Sequence, residues 1–290
     1  MNSTSEMTRR NMLAALAAVS GAALVMPQGM AQEKAAVDVG RLKQSVSKWC
    51  FDKIPLVEFC QAVKPMGITG IDLLSEGDWE TVAGEGLVCA MANGPGNIGK
   101  GWNRIEHHEE LIANAQRLIP KAGDLGVPNM VVFSGNRRGQ DDETGLENCA
   151  KGLAKILTLA EKAGVVLCME LLNSKRNHKD YQCDHTAWGA RLAKKLDSPN
   201  FKLLYDIYHM QIMEGDVIAT IEENIKYIGH IHTGGVPGRN EIDDTQELNY
   251  PRICSAIADT GFSGFLAHEF VPKAPDPLES LRQAIAICRV

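Results

Sequence analysis

From Ser45 onward the chain alternates between two hydrophobic periods, and this alternation constrains its fold more than any other feature. Short apolar or β-branched runs read as strands: SVSKWCF (Ser45–Phe51), IDLL (Ile71–Leu74), LVCAMAN (Leu87–Asn93), NMVVFSG (Asn129–Gly135), VVLCMELL (Val165–Leu172), Phe201–Tyr208, Ile228–Thr233 and Phe265–Phe270. Between them lie segments with apolar residues at helical spacing. The first carries Pro55 in its opening turn and Leu56, Phe59, Cys60 and Val63 on one face; the others are His107–Leu125, Leu146–Ala163, Thr186–Leu196, Val217–Tyr227, Tyr250–Thr260 and Leu278–Ile287. Only the short Gly-rich stretch after IDLL shows no clear helical pattern. Alternation of this kind predicts a parallel sheet covered by helices, because parallel neighbours need a crossover between them. Eight such units match the size of a single α/β (β/α)8 TIM barrel, about 250 residues. An open doubly wound sheet is the competing arrangement, but no GxGxxG follows the first strand.

The N-terminus stands apart. Arg9 and Arg10 precede an uncharged apolar run, Met12–Met26, and a small-residue site, Gly29-Met30-Ala31. Residues 1–31 therefore read as a cleavable twin-arginine export signal, with the mature domain at 32–290 and a periplasmic or other extracytoplasmic destination. The alternative is an N-terminal membrane anchor, but the run is shorter than the roughly 20 residues of a helical span. No other segment is apolar enough for membrane insertion. The full chain carries a formal net charge of −6, and loss of Glu6, Arg9 and Arg10 takes it one unit further negative. Nucleic-acid binders carry a basic footprint, so a nucleic-acid partner is not expected. The eight cysteines show no CxxC or zinc-ribbon spacing, and most sit in apolar segments, as buried thiols do. Nothing in the sequence sets the oligomeric state, and a homo-oligomer is allowed.

In a barrel, chemistry gathers where strands end and βα loops begin. Four successive strand ends carry a polar residue just past the apolar part: Glu170 in CMELLN, Asp206 in YDIYH, His232 in GHIHTGG and Glu269 in AHEF. Residues two apart share a face. Glu170 thus lies with Cys168, Asp206 with Leu204 and Glu269 with Ala267, all small or apolar, as an interior requires. His230 shares the face of His232 one layer deeper, and His268 should face the helices. Single strand-end acids are often helix caps; four in series at one depth suit one divalent ion, Mn²⁺, Co²⁺, Zn²⁺ or Mg²⁺. His209, three residues after Asp206, is expected at the rim, touching a bound substrate.

Glu170, YDIYHMQ, GHIHTGG and AHEF, with NEIDDTQELNY between the last two, resemble the hydroxypyruvate isomerase-like branch of the xylose isomerase-like barrel superfamily. The resemblance covers most of the mature chain and is densest from Leu167 to Pro272. It implies one divalent ion held by Glu170, Asp206, His232 and Glu269, with the two glutamates doubling as the acid/base pair. It further implies substrate contacts from His209 and from an arginine after the seventh strand, for which Arg239 is the nearest match. The pattern is mixed: hydroxypyruvate isomerase proper carries glutamine where His232 stands, whereas sugar 3-epimerases carry histidine.

The chemistry expected of these parts is proton transfer beside a carbonyl of a sugar or small hydroxy-keto acid. One carboxylate removes the proton to give an enediolate and the other returns it, while the ion acts as a Lewis acid. The site of proton return separates isomerisation from epimerisation, and the same machinery also serves β-elimination from a keto-sugar. The competing classes are an exported non-catalytic sugar-binding barrel, a keto-sugar lyase or hydrolase, and a DNA-repair endonuclease, the last disfavoured by the acidic charge and the eight histidines in total. Among the other polar residues, His107 and His108 read as the solvated start of a charged helix. His178 and His185 lie in the loop after the fifth strand. Asn93 and Trp102 belong to a long loop after the third strand, a candidate lid. Lys100 in that loop lacks the G-K-[ST] of a phosphate loop.

Overall fold

The computed structural model describes residues 40–290; the segment read as an export signal lies outside them. Eight strands close into one barrel in chain order, every neighbour pair parallel: β1 (Lys43–Ser47), β2 (Gly70–Leu74), β3 (Val88–Asn93), β4 (Asn129–Val132), β5 (Val166–Glu170), β6 (Phe201–Asp206), β7 (Ile228–Thr233) and β8 (Phe265–His268), with β8 pairing back onto β1. The crossover helices are α1 (Leu56–Val63), α2 (Trp79–Gly84), α3 (His108–Asp124), α4 (Asp142–Ala163), α5 (Thr186–Leu196), α6 (Ile207–Met213), α7 (Val217–Asn224), α8 (Tyr250–Asp259) and α9 (Pro277–Ile287). Closure removes the sheet edges that an open doubly wound sheet would leave.

Three local expectations are corrected. The first strand stops at Ser47, and Lys48–Phe51 turn into a 3₁₀ helix. The sixth strand stops at Asp206 rather than Tyr208, because the Asp206 carboxylate accepts the backbone N–H of His209 at 3.0 Å and so caps α6. The Gly-rich stretch after β2 does form a short helix, α2, which buries Trp79 and Val82.

The strands are buried on both faces because both are covered. A large core fills the space between strands and helices, and a small interior cluster, Met91, Val131, Cys168 and Leu204, fills the barrel itself. Helix α4 shows how the sequence builds the outer layer. Asp141 caps its N-terminus by accepting from Thr144 N at 2.8 Å, Gly164 ends it at φ +69°, and Leu146, Cys149, Leu153, Ile156, Leu157 and Ala160 form its buried stripe. Each leucine or isoleucine of this stripe contributes about 1.5–3 kcal/mol by leaving water. All eight cysteines are free thiols.

The loop after β3 is docked rather than lid-like. Trp102 N donates to Phe133 O at 3.0 Å, Asn103 N donates to Ser134 O at 2.7 Å, and the Trp102 side chain is fully buried. Gly101 permits this approach: a Cβ there would lie 2.2 Å from Gly135 N. Contrary to expectation, His108 is buried, with Nε2 2.8 Å from Trp102 O, and His107 Nδ1 lies 3.2 Å from Gly101 O. The two histidines tie α3 to this loop, a use that the charged sequence around them hides.

The loops after β4 and β5 are joined at Asp184. Its buried carboxylate receives both Arg137 guanidinium ends at 2.9 and 3.2 Å, the Ser174 hydroxyl at 2.5 Å, and contacts His185 Nδ1 at 2.8 Å. Burial alone would raise the Asp184 pKa; Arg137, Ser174 and His185 overturn that and hold it below the ordinary value. The stabilisation is therefore full above the unfolded-state value near 4 and fades as pH falls through the depressed folded value. Asp184→Asn should cost about 1–3 kcal/mol at pH 7. Thermal melts of wild type and variant should differ at pH 7 and converge towards pH 3.

Candidate metal centre and active site

The four predicted strand-end residues meet inside the barrel mouth. Glu170 closes β5, Asp206 closes β6, His232 lies next to the end of β7, and Glu269 follows β8 directly. Register brings them level: Asp206 pairs with His232, and His232 with Ala267, two residues before Glu269. One donor atom from each lies within 4.8 Å of all the others, and all four side chains are buried. His230 lies deeper on the same face, against Asp72. His268 points outwards, with Nε2 2.8 Å from Gln44 Oε1, itself tied to α9 through Ile285 O.

The donors face one another, and one of them is left unsatisfied. His232 Nδ1 stands 2.5 Å from Glu269 Oε2 and 4.0 Å from both Glu170 Oε1 and Asp206 Oδ2, yet it has no aligned hydrogen-bond partner. Buried nitrogen is normally paired. A short approach without alignment is the arrangement of donors gathered around a shared point. The electrostatics agree. Burial and the nearby Glu269 push Glu170 up to about 8. Burial raises Asp206 to about 6 despite Arg239. Glu269 goes the other way: burial would raise it, but Arg239, His232 and the Trp49 N–H hold it below the ordinary carboxylate value. His232 is raised: burial would lower it, but Glu269 and Asp72 together overturn that. Three carboxylates and one imidazole with a single partly buried guanidinium fit a divalent cation in both charge and donor type.

Arg239 is that guanidinium. Its Nη2 donates to Asp206 Oδ2 at 2.8 Å and to Glu269 Oε2 at 2.5 Å. Its plane lies near two aromatic rings, 5.5 Å from the centroid of Trp49 and 5.2 Å from that of Tyr208. The loop that presents it is pinned by Gly235 N to Asn240 O and by Val271 N to Arg239 O.

His209 is buried beside it. Asn173 Oδ1 accepts the backbone N–H groups of Arg176 and Asn177, which fixes the amide so that its Nδ2 donates to His209 Nδ1 at 2.7 Å. The proton of the neutral ring then sits on Nε2. That N–H faces Arg239 Nη1 at 3.0 Å, donor against donor. Burial first, then the Arg239 charge, holds His209 well below its ordinary pKa and keeps it neutral. A ligand oxygen between the two would satisfy both donors. His178 stands over His209 with ring centroids 5.1 Å apart, whereas His185 is engaged with Asp184. Asn93 is exposed and donates to Leu73 O at 3.0 Å.

Sequence reasoning missed Trp49 and Asp72. Trp49 donates its indole N–H to Glu269 Oε1 at 2.6 Å while its ring remains 44% exposed at the mouth. It was hidden because its run reads as a continuous strand. Asp72 did carry a signal, an ionisable side chain inside the apolar run IDLL.

Three comparisons place this geometry among known proteins. Residues 79–289 match the family model described as the xylose isomerase-like TIM barrel. Among curated relatives, a Homo sapiens protein whose assigned name is that of a hydroxypyruvate isomerase is 34% identical over 57% of this chain and 61% of its own. A 2-oxo-tetronate isomerase of Cupriavidus necator is 33% identical over 54% of this chain and 60% of its own. The alignments thus span about three fifths of each of these relatives. Among solved structures, one titled AP endonuclease, family 2, from Brucella melitensis superposes with a TM-score of 0.73 at 22% identity, covering 83% of this chain and 96% of that one. At that identity the likeness speaks for the fold alone. D-psicose 3-epimerases recur among both the relatives and the structures.

Proposed function

The chain belongs to the xylose isomerase-like TIM barrel family, and on that footing we propose that it is a metal-dependent isomerase or epimerase of a sugar or small hydroxy-keto acid. The observation that carries this reading is the convergence of Glu170, Asp206, His232 and Glu269 on one buried point, with His232 Nδ1 close to Glu269 Oε2 but without an aligned hydrogen bond. These four residues would hold the ion, which when bound supplies a Lewis acid that acidifies a C–H beside a carbonyl.

The remaining chemistry belongs to the protein. Glu269 is assigned as the proton acceptor because Arg239, His232 and the Trp49 indole N–H keep it ionised, so that it is free to take a proton and readily passes it on. Glu170, whose proton affinity burial and Glu269 raise, is the group assigned to carry the proton that is returned. The facing N–H groups of His209 and Arg239 would share one substrate oxygen and stabilise charge developing on it. Buried walls exclude water from the transfer. The names of the relatives support a carbohydrate-derived keto substrate.

The test is incubation of the metal-replete protein in D₂O with hydroxypyruvate, free ketoses and 3-keto-sugars, followed by proton NMR. Metal-dependent loss of one C–H signal beside a carbonyl is expected. Whether the product is an isomer or an epimer is read from the same spectra. Metal bound without exchange on any of the panel would favour a binding protein over an enzyme.

A further inference from the structure

Beneath the four-residue cluster lies a carboxylate that none of the chemistry above uses. Asp72 of β2 is fully buried and reaches across the barrel to β7, a strand that does not pair with its own. Its Oδ2 lies 2.5 Å from His230 Nε2 and 3.3 Å from His232 Nε2, while its Oδ1 has no partner. The backbone is shaped for this. Register with β3 slips on both sides of Asp72, and the next residue, Leu73, adopts φ +57°. A bulge of this kind re-aims a side chain and is common beside active sites. Here it turns two consecutive residues inwards: Leu73 packs on the interior cluster of Met91, Val131, Cys168 and Leu204, and Asp72 meets the histidines. A non-glycine residue in the left-handed region costs of order 1–3 kcal/mol and persists only where surrounding contacts enforce it.

We propose that Asp72 is a positioning residue that accepts the Nε2–H of His232, fixes that tautomer and ring orientation, and leaves Nδ1 as the lone-pair donor to the ion. This inference rests on the metal-centre reading given above. Two observations on different atoms support it. The nitrogen facing Asp72 has a carboxylate hydrogen bond, and the nitrogen facing Glu170, Asp206 and Glu269 approaches Glu269 Oε2 at 2.5 Å without an aligned one. His230 completes the device: its N–H shares the same Asp72 oxygen and keeps the carboxylate turned towards both rings, which stand at 83° to each other. Partners of this sort orient ligating histidines and raise their basicity, and their loss typically costs 10–100-fold in metal affinity.

The experiment has two arms, both on the full chain stripped of metal. In the first, the ¹⁵N-histidine-labelled wild type is loaded with Zn²⁺ and long-range ¹H–¹⁵N spectra are recorded. His232 should show a ligated Nδ1 and a protonated Nε2; a ligated Nε2 would overturn the proposal. In the second, Mn²⁺ is titrated calorimetrically into wild type and Asp72→Asn. The variant should keep one site and bind roughly 10–100-fold more weakly. Equal affinity, with only the melting temperature of the metal-free protein lowered, would make Asp72 merely structural and sink the idea. Two ions per wild-type chain would also sink it, since Asp72, His230 and His232 would then form a site of their own. Absence of Mn²⁺ binding by the wild type would instead defeat the metal-centre reading itself. If Asp72→Asn does not fold, the tautomer of the wild type decides.

Discussion

Glu269→Gln is expected to lower the rate of C–H exchange by about 10²–10⁴-fold, the usual worth of a positioned general base, while far-UV circular dichroism stays that of the wild type. The amide keeps the size of the side chain and can still accept the Trp49 N–H, so the fold has little reason to respond. What it removes is the negative charge that Arg239 and His232 are arranged to hold. Glu170→Gln should lose product formation, for a different reason: a carboxyl whose proton affinity is raised can take up and deliver a proton, and an amide cannot. The comparison that matters is between exchange and product formation. If Glu269 is the base and Glu170 the donor, Glu170→Gln should lose product formation more completely than exchange, and Glu269→Gln should lose both together. Turnover retained in Glu269→Gln would remove that residue from the acid/base pair.

Saturating the metal-free protein with Mn²⁺ should raise its melting temperature by roughly 5–10 °C. An ion at a hundredfold excess over its Kd adds about 2.7 kcal/mol, and a domain of this size gains roughly 2–4 °C per kcal/mol. The physical source is the crowding of Glu170, Asp206 and Glu269 around one point with only Arg239 to offset them. The effect also has a pH sign. Without metal, Glu170 is protonated up to about 8 and Asp206 up to about 6. Binding requires both ionised and His232, whose pKa is also raised, neutral, so protons are released and apparent affinity should climb with pH across this range. Differential scanning fluorimetry across pH 5–9, with Asp206→Asn as control, checks this. A melting shift that Asp206→Asn leaves intact would mean that the ion sits elsewhere.

Periodicity made most of the fold legible. The strand Ile228–Thr233 and the helix Thr186–Leu196 fall on the residues that their patterns mark. Errors came where a side chain overrode the local pattern. The Asp206 carboxylate turned an apparent strand into a helix at Ile207, and the apolar run through Trp49 broke into a 3₁₀ turn that carries the indole to Glu269. His108 looked solvated among charged neighbours but is buried against Trp102 O.

By itself the sequence determined the barrel and the four residues at its mouth, because strand parity and depth are local properties that repeat along the chain. What Asp72 and Trp49 meet was decided by tertiary structure alone. Asp72 lies 158 residues from His230, and Trp49 lies 220 from Glu269. No periodicity links such pairs: closing β8 onto β1 brings Trp49 to Glu269, and the bulge at Leu73 aims Asp72 at the histidines. The opposite pKa shifts of Glu170 and Glu269 have the same origin. Both are glutamates at strand ends, and only the neighbours that the closed barrel supplies make one a held anion and the other a held acid.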